Sequence, residues 1–279
     1  MKTPEKDHIK ALIRLIETES EDYGEILKPE LAALIKEDPA RVQSVIEEDF
    51  RSEVPRSVIQ TMEEICWEDL SASLAAFSGK INPDLEEGLY LLSKFVSPAL
   101  ARREVESPLD AMAQELRSVL LNVKNYTEIA AVLGHYFFDM RGYVALPSNL
   151  DIKDISFGRF LRKGRGSSLC VACLYACIGQ RFAVDTNLVD LAGRILIQLK
   201  GNGETLFIDP LDKGKILTEK ACREYIQARQ IEWNDEFLAP LSSRQIVRRF
   251  IANMIFVLNK LKDERKLKYL RDYLEIIQG

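Results

Sequence analysis

The sequence predicts an α+β fold: helices through the first half, one uncharged helix near the centre, and a small antiparallel sheet behind it. Three observations predict it. Apolar residues recur at helical spacing through the first half of the chain. The tight turn Gly164-Arg165-Gly166-Ser167-Ser168 then opens an uncharged, small-residue stretch, Leu169-Cys170-Val171-Ala172-Cys173-Leu174-Tyr175-Ala176-Cys177. Beyond it the pattern changes to β-branched and apolar runs, with Lys200-Gly201-Asn202-Gly203 between two of them as a hairpin turn. Helices, a turn, a further helix and then a hairpin make an α+β order.

The elements follow in turn. The run His8-Ile9-Lys10-Ala11-Leu12-Ile13-Arg14-Leu15-Ile16 reads as a helix. Ile26, Leu27, Leu31, Leu34 and Ile35 form the next, and Val42, Val45 and Ile46 follow a helix start at Asp38-Pro39. Glu53-Val54-Pro55-Arg56-Ser57 punctuates the chain before a helix containing Ile59, Met62, Ile65 and Cys66. Such paired amphipathic helices resemble HEAT-like repeats. Their period is irregular, and a helical bundle accounts for them equally well. Residues 1–83 are read as this amino-terminal helical region and 84–279 as a second domain.

Further helices are expected over 85–95, 108–121 and 127–138, with irregular chain over 141–149. Strands are expected over 182–188, 193–199 and 205–209. Helices over 218–229, 243–261 and 263–277 close the chain.

Composition narrows the function. A chain of 279 residues, 47% hydrophobic and 29% charged, can bury one large core or two modest ones. A net charge of −5 gives no reason to expect a nucleic-acid partner. The carboxy-terminal stretch from Arg244 to Arg271 is locally basic, with Asp263 and Glu264 interleaved toward its end, and reads as a solvated helix face. Met1-Lys2-Thr3-Pro4-Glu5-Lys6-Asp7 is charged, which argues against a secretory signal. The longest uncharged run, 166–180, falls short of the about 20 residues a membrane span needs. Five cysteines, three of them between 170 and 177, do not form the pattern of a disulfide framework. The expectation is a cytoplasmic protein with no membrane partner.

Cys170 sits in the opening turn of its helix, where unpaired N–H groups and the helix dipole stabilise an anion and can lower a thiol's pKa. From about Asp84 to Ile277 the chain resembles the SirB-type transglutaminase-like family, a branch of the papain-like cysteine fold. Arg165-Gly166 matches the family's turn and Cys170 its nucleophile position. Gly193-Arg194 lies on a glycine-histidine pair, and Asp209-Pro210 on an aspartate-proline pair, with Gly214 after it. The stretches Leu89-Tyr90-Leu91-Leu92 and Leu241-Ser242-Ser243-Arg244-Gln245-Ile246 resemble the leading and closing helices. The resemblance implies a nucleophile helix packed on a small antiparallel sheet, and the site residues Cys170, Arg194 and Asp209.

Two departures change what the resemblance implies. Arg194 replaces the histidine, and the segment before the turn lacks an asparagine-serine pair, of which Ser156 is a remnant. In the papain-like scheme the cysteine attacks a carbonyl, histidine moves the proton and an acid orients the histidine. Amides around 169–171 would hold the oxyanion. Arginine stays protonated, with a pKa above about 12, and cannot accept that proton. It could act as a fixed cation beside the thiol, or pair with Asp209 structurally. A lost general base costs roughly 10² to 10⁴-fold in rate.

The leading expectation is therefore a degenerate, non-catalytic domain that works through a protein partner, its helical front end offering the contact surface. The rival is a cysteine-dependent acyltransferase or amide hydrolase using Cys170 and Asp209 with a base from elsewhere, such as His135. His8 and His135 are the two histidines of the chain. A third reading takes Cys170, Cys173 and Cys177, at i, i+3 and i+7, as metal ligands. With no fourth ligand nearby, close packing of small side chains explains Cys173 and Cys177 better. No cofactor or metal is expected. Lys200-Gly201-Asn202-Gly203 lacks the ending of a phosphate loop, and Trp67 and Trp233 read as core or rim residues.

Overall fold

A computed structural model describes residues 6–18, 21–50, 56–123, 125–147, 150–201 and 203–278. Four helices lead the chain: α1 (Lys6–Thr18), α2 (Glu21–Glu37), α3 (Pro39–Val45) and α4 (Arg56–Gly79), with a π-helical turn (Ile46–Phe50) after α3. Asp38 caps α3 by accepting from Arg41 N at 2.9 Å, and Pro39 opens it, since a proline's missing donor is harmless in a first turn. Ile9, Leu12, Ile13, Leu31, Ile35, Val42 and Val45 bury one another in a first core. The expected punctuation at 53–55 lies outside the described residues.

Helix α4 belongs to two cores. Val58, Met62 and Ile65 join the first, whereas Trp67, Leu70, Leu74 and Phe77 sit in the main one. The indole of Trp67 donates to Phe95 O at 2.9 Å, and Tyr273 Oη donates to Trp67 O at 2.6 Å. The change of core thus falls inside α4, ahead of the 83/84 division expected from the sequence.

The main body continues through α5 (Leu85–Val96), α6 (Arg103–Leu120) and α7 (Tyr126–Gly134), the last running into a π-helical turn (His135–Met140). The stretch read as irregular holds a short strand, β1 (Val144–Leu146). Helices α8 (Ile152–Ile155) and α9 (Phe157–Lys163) lead to β2 (Arg165–Ser167), which pairs with β1 in parallel, Val144 opposite Arg165. The backbone at Gly166 passes so close to α8 and α9 that a Cβ there would lie 2.9 Å from Asp154 O and 3.0 Å from Phe160 Cδ2. Only glycine fits.

Helix α10 (Ser168–Arg181) then crosses the centre of the molecule. Uncharged as far as Gln180, it is apolar on every side, and Leu169 to Ile178 are buried without exception. A helix of that kind has to be covered all round. Four antiparallel strands cover one side: β3 (Thr186–Leu191), β4 (Arg194–Gly201), β5 (Glu204–Asp209) and β6 (Lys215–Leu217), ordered β3-β4-β5-β6. The expected strand over 182–188 begins later, because Phe182 and Ala183 still close the end of α10 and Ala183 turns the chain with φ +53°. Of the β4–β5 turn, Gly201 pairs with Glu204, and Asn202 lies outside the described residues.

Strand alternation gives the sheet two apolar faces. Leu188, Ile195, Ile197, Leu199 and Ile208 join the main core with α10. Val189, Leu191, Leu196 and Phe207 face the other way, onto Cys222 and Ile226 of α11 (Glu219–Ala228). A 3₁₀ turn (Pro210–Asp212) links β5 to β6, and a second (Asp235–Leu238) follows α11. Helices α12 (Ser243–Leu261) and α13 (Glu264–Gln278) close the main core against α4 and α5. Among the described residues no helix is long and apolar enough to cross a membrane.

Candidate functional site

Cys170 lies in the first turn of α10. Ser167 is the N-cap: its hydroxyl accepts from Cys170 N at 3.4 Å and lies 3.3 Å from Cys170 Sγ. The cap therefore occupies the cysteine's own amide, one of those the papain-like scheme assigns to the oxyanion. The thiol is fully buried, and it donates to the carbonyl of Ile155 at 3.5 Å, with Asp154 O at 3.9 Å. Both acceptors come from α8, which lies over the start of α10.

That setting favours the neutral thiol. Burial pushes the Cys170 pKa up to about 12; the two Ser167 contacts pull the other way, and the Asp154 charge adds to the rise. A helix end offers an anion about 0.3–1 kcal/mol, whereas each pKa unit corresponds to about 1.4 kcal/mol. Desolvation outweighs the dipole here. The helix-start argument for a thiolate holds only for a solvated cysteine, and this one is dry.

Arg194 and Asp209 come together elsewhere. Arg194 opens β4 and Asp209 closes β5, and a guanidinium Nη2 donates to Asp209 Oδ2. Asp209 is 1% exposed, and its other oxygen accepts from Leu211 N at 2.9 Å, capping the 3₁₀ turn. The guanidinium carbon stands 5.0 Å from the centre of the Tyr225 ring of α11. Arg194 alternates with Ile195, and Asp209 with Ile208, so both point to the α11 face of the sheet. Cys170 is on the α10 side. No hydrogen bond joins the thiol to either residue, and neither charge contributes to its pKa rise. The structure thus brings two of the three expected site residues together and leaves the third across the sheet.

The other candidates lie apart from the thiol. His135 is exposed, its Nδ1 2.9 Å from Asp139 Oδ2 one helical turn on. His8 is exposed on α1, 3.0 Å from Glu30 Oε1. Ser156 is buried between α8 and α9, where its hydroxyl caps α9 by accepting from Arg159 N at 3.4 Å. Cys173 and Cys177 are fully buried, and burial raises both thiols well above the ordinary range. Among the described residues no cluster of three histidine, cysteine or acidic side chains could hold a metal. Trp67 is core and Trp233 half-buried at the rim.

Sequence reasoning passed over three participants. Ser167 had a readable signal, a serine directly before an apolar helix. The facing of Arg194 was readable from the period-2 alternation with Ile195, Ile197 and Leu199. The Ile155 carbonyl and the Tyr225 ring carried none, because each reaches its partner only through the tertiary fold.

A protein-family model described as the transglutaminase-like superfamily matches residues 103–252, more than half of the chain. The matched segment runs from α6 into α12 and contains Cys170, Arg194 and Asp209. No curated protein matches the chain.

Proposed function

The chain belongs to the transglutaminase-like superfamily, and from that premise we propose that it is a non-catalytic member, a regulatory module acting by binding another protein. We assign it to the SirB-type branch on Arg165-Gly166, Gly193-Arg194, Asp209-Pro210 and Gly214. The observation that carries the reading is the division of the expected triad between two faces of one sheet. The thiol is buried beneath α8, while Arg194 and Asp209 satisfy each other beside Tyr225.

Three further points support it. Arg194 stays protonated and cannot serve as a base. His135, the base proposed from elsewhere, is exposed and engaged with Asp139. The amide at Cys170 is occupied by its cap. For the rival hydrolase to operate, Cys170 would have to leave its carbonyl contacts, lose a proton from a buried thiol and recruit a base.

In this proposal the amino-terminal helices, read as HEAT-like, supply a contact surface on which Leu15 and Ile59 are exposed. The compartment is the cytoplasm, on the sequence grounds already given. The test is incubation of the folded protein with an activated ester such as p-nitrophenyl acetate, followed by intact mass and peptide mapping. The expected result is no acyl group on Cys170. A stoichiometric acyl-Cys170 that forms and then hydrolyses would restore the enzyme reading.

A further inference from the structure

We propose that the open sheet edge at β6 docks an extended acidic segment of a partner protein as a fifth strand. The idea rests on the reading of the chain as a binding module and places a second contact surface away from the amino-terminal helices.

The two edges of the sheet are treated differently. The β3 edge is covered: Leu241 N donates to Leu188 O at 2.8 Å, and the 3₁₀ turn at Asp235–Leu238 packs beside it. The β6 edge is terminal in the strand order, and among the described residues no loop or helix bonds to the backbone of Lys215–Leu217 beyond β5. An unpaired edge offers its N–H and C=O groups to another chain.

Side chains around this edge define what it would accept. Leu211 (37% exposed), Ile216 (36%) and Val144 (49%) present apolar surface, with β1 lying against the 3₁₀ turn that carries Leu211. Lys213 and Lys215 are exposed cations at the start of β6, and Arg165 is exposed on β2, opposite Val144 of β1. The nearby acids are engaged: Asp212 lies 3.4 Å from Lys215 Nζ, and Asp139 pairs with His135. Among the described residues Lys213 and Arg165 have no ion pair. Lys213, with no ion-pair partner among the described residues, is the cation left to meet a carboxylate at this edge, beside the Lys215–Asp212 pair.

The occupant follows from register. Ile216 stands opposite Ile208 on the α10 face, and Lys215 opposite Asp209 on the other. An added strand with apolar residues on one face and carboxylates on the other matches both. A second copy of this chain fits poorly, because antiparallel pairing of β6 with β6 about Ile216 sets Lys215 opposite Leu217, with no carboxylate in register.

The experiment uses a fluorescent octapeptide of alternating Glu and Val, and its Lys-Val counterpart, titrated against the full chain by anisotropy. Hydrogen exchange maps the contact. The expected result is binding of the Glu-Val peptide, added protection at Lys215–Leu217, and a loss of about tenfold or more in affinity for Lys215→Glu combined with Arg165→Glu. Both positions are exposed, and unchanged circular dichroism checks the fold. Equal binding of both peptides, unchanged affinity in the variant, protection elsewhere, no binding, or a dimer in sedimentation that the variant abolishes would each overturn the proposal. None of these readouts depends on Cys170, so an acylated thiol would sink the non-catalytic reading and leave the peptide result standing.

Discussion

Replacing Arg194 by methionine isolates the ion pair that occupies the triad's remaining positions. Asp209 is 1% exposed and depends on two donors, Arg194 Nη2 and Leu211 N. Breaking a buried pair from one side typically costs about 3–5 kcal/mol, because a buried charge is left behind. Arg194 has a side chain 29% exposed, so water reaches part of the vacated space and screens the carboxylate. The substitution also removes a buried Nε that, among the described residues, has no hydrogen-bond partner, an offset of about 1 kcal/mol or more. Methionine keeps an apolar stem against Tyr225. The net expectation is a loss of about 2 kcal/mol. Urea unfolding followed by circular dichroism measures it, and Asp209→Asn completes a double-mutant cycle. The double variant should be more stable than the two losses added together predict, by about 1–2 kcal/mol. A loss under about 0.5 kcal/mol for Arg194→Met, or a cycle that adds, refutes the reasoning. A change in Cys170 reactivity with stability intact would do so too, since it would mean that the guanidinium acts on the thiol.

Two further predictions concern the packing around the thiol. Gly166→Ala should cost about 1–3 kcal/mol in urea unfolding, because its Cβ would meet the Asp154 carbonyl at 2.9 Å in the segment that covers Cys170; an unchanged midpoint would mean that α8 and β2 are not in close contact. Alkali should weaken the fold. Burial raises Cys66 and Cys222 to about 11 and Cys170 to about 12, so the folded state keeps protons that unfolded thiols, with pKa near 8.5, give up. Stability is complete below that unfolded value and falls as pH rises above about 9, by about 1.4 kcal/mol per pH unit for each thiol until its folded pKa is reached. Urea midpoints at pH 7.5, 9 and 10 that stay level or rise would contradict it.

Much of the fold was legible because local signals fixed it. The start of α12 is set by a capping box, with Ser242 accepting from Gln245 N while Gln245 accepts from Ser242 N. The small-residue run after Gly166 announced α10, and the β4–β5 turn announced its hairpin. What escaped depends on distant partners. Strand β1 is three residues long and exists because β2, some twenty positions later, pairs with it. Strand β6 is equally short and, among the described residues, pairs with β5 alone. The site was half legible. Residue types placed Cys170, Arg194 and Asp209 correctly on a helix start and two strand ends. Burial and facing decide what those residues can do. The uncharged character of α10 gave a helix start suited to a thiolate, and the same property drives the whole helix into the core. A solvated nucleophile and a buried packing residue carry the same letters there.

The most direct measurement is alkylation of each cysteine by iodoacetamide across pH 6 to 9, read by mass spectrometry on native and urea-unfolded protein. A buried, protonated Cys170 predicts modification slower than an exposed thiol by orders of magnitude, at a rate that follows unfolding. Rapid labelling of native Cys170 at mildly acidic pH, with Cys173 and Cys177 untouched, would contradict the account and return the chain to the enzymes.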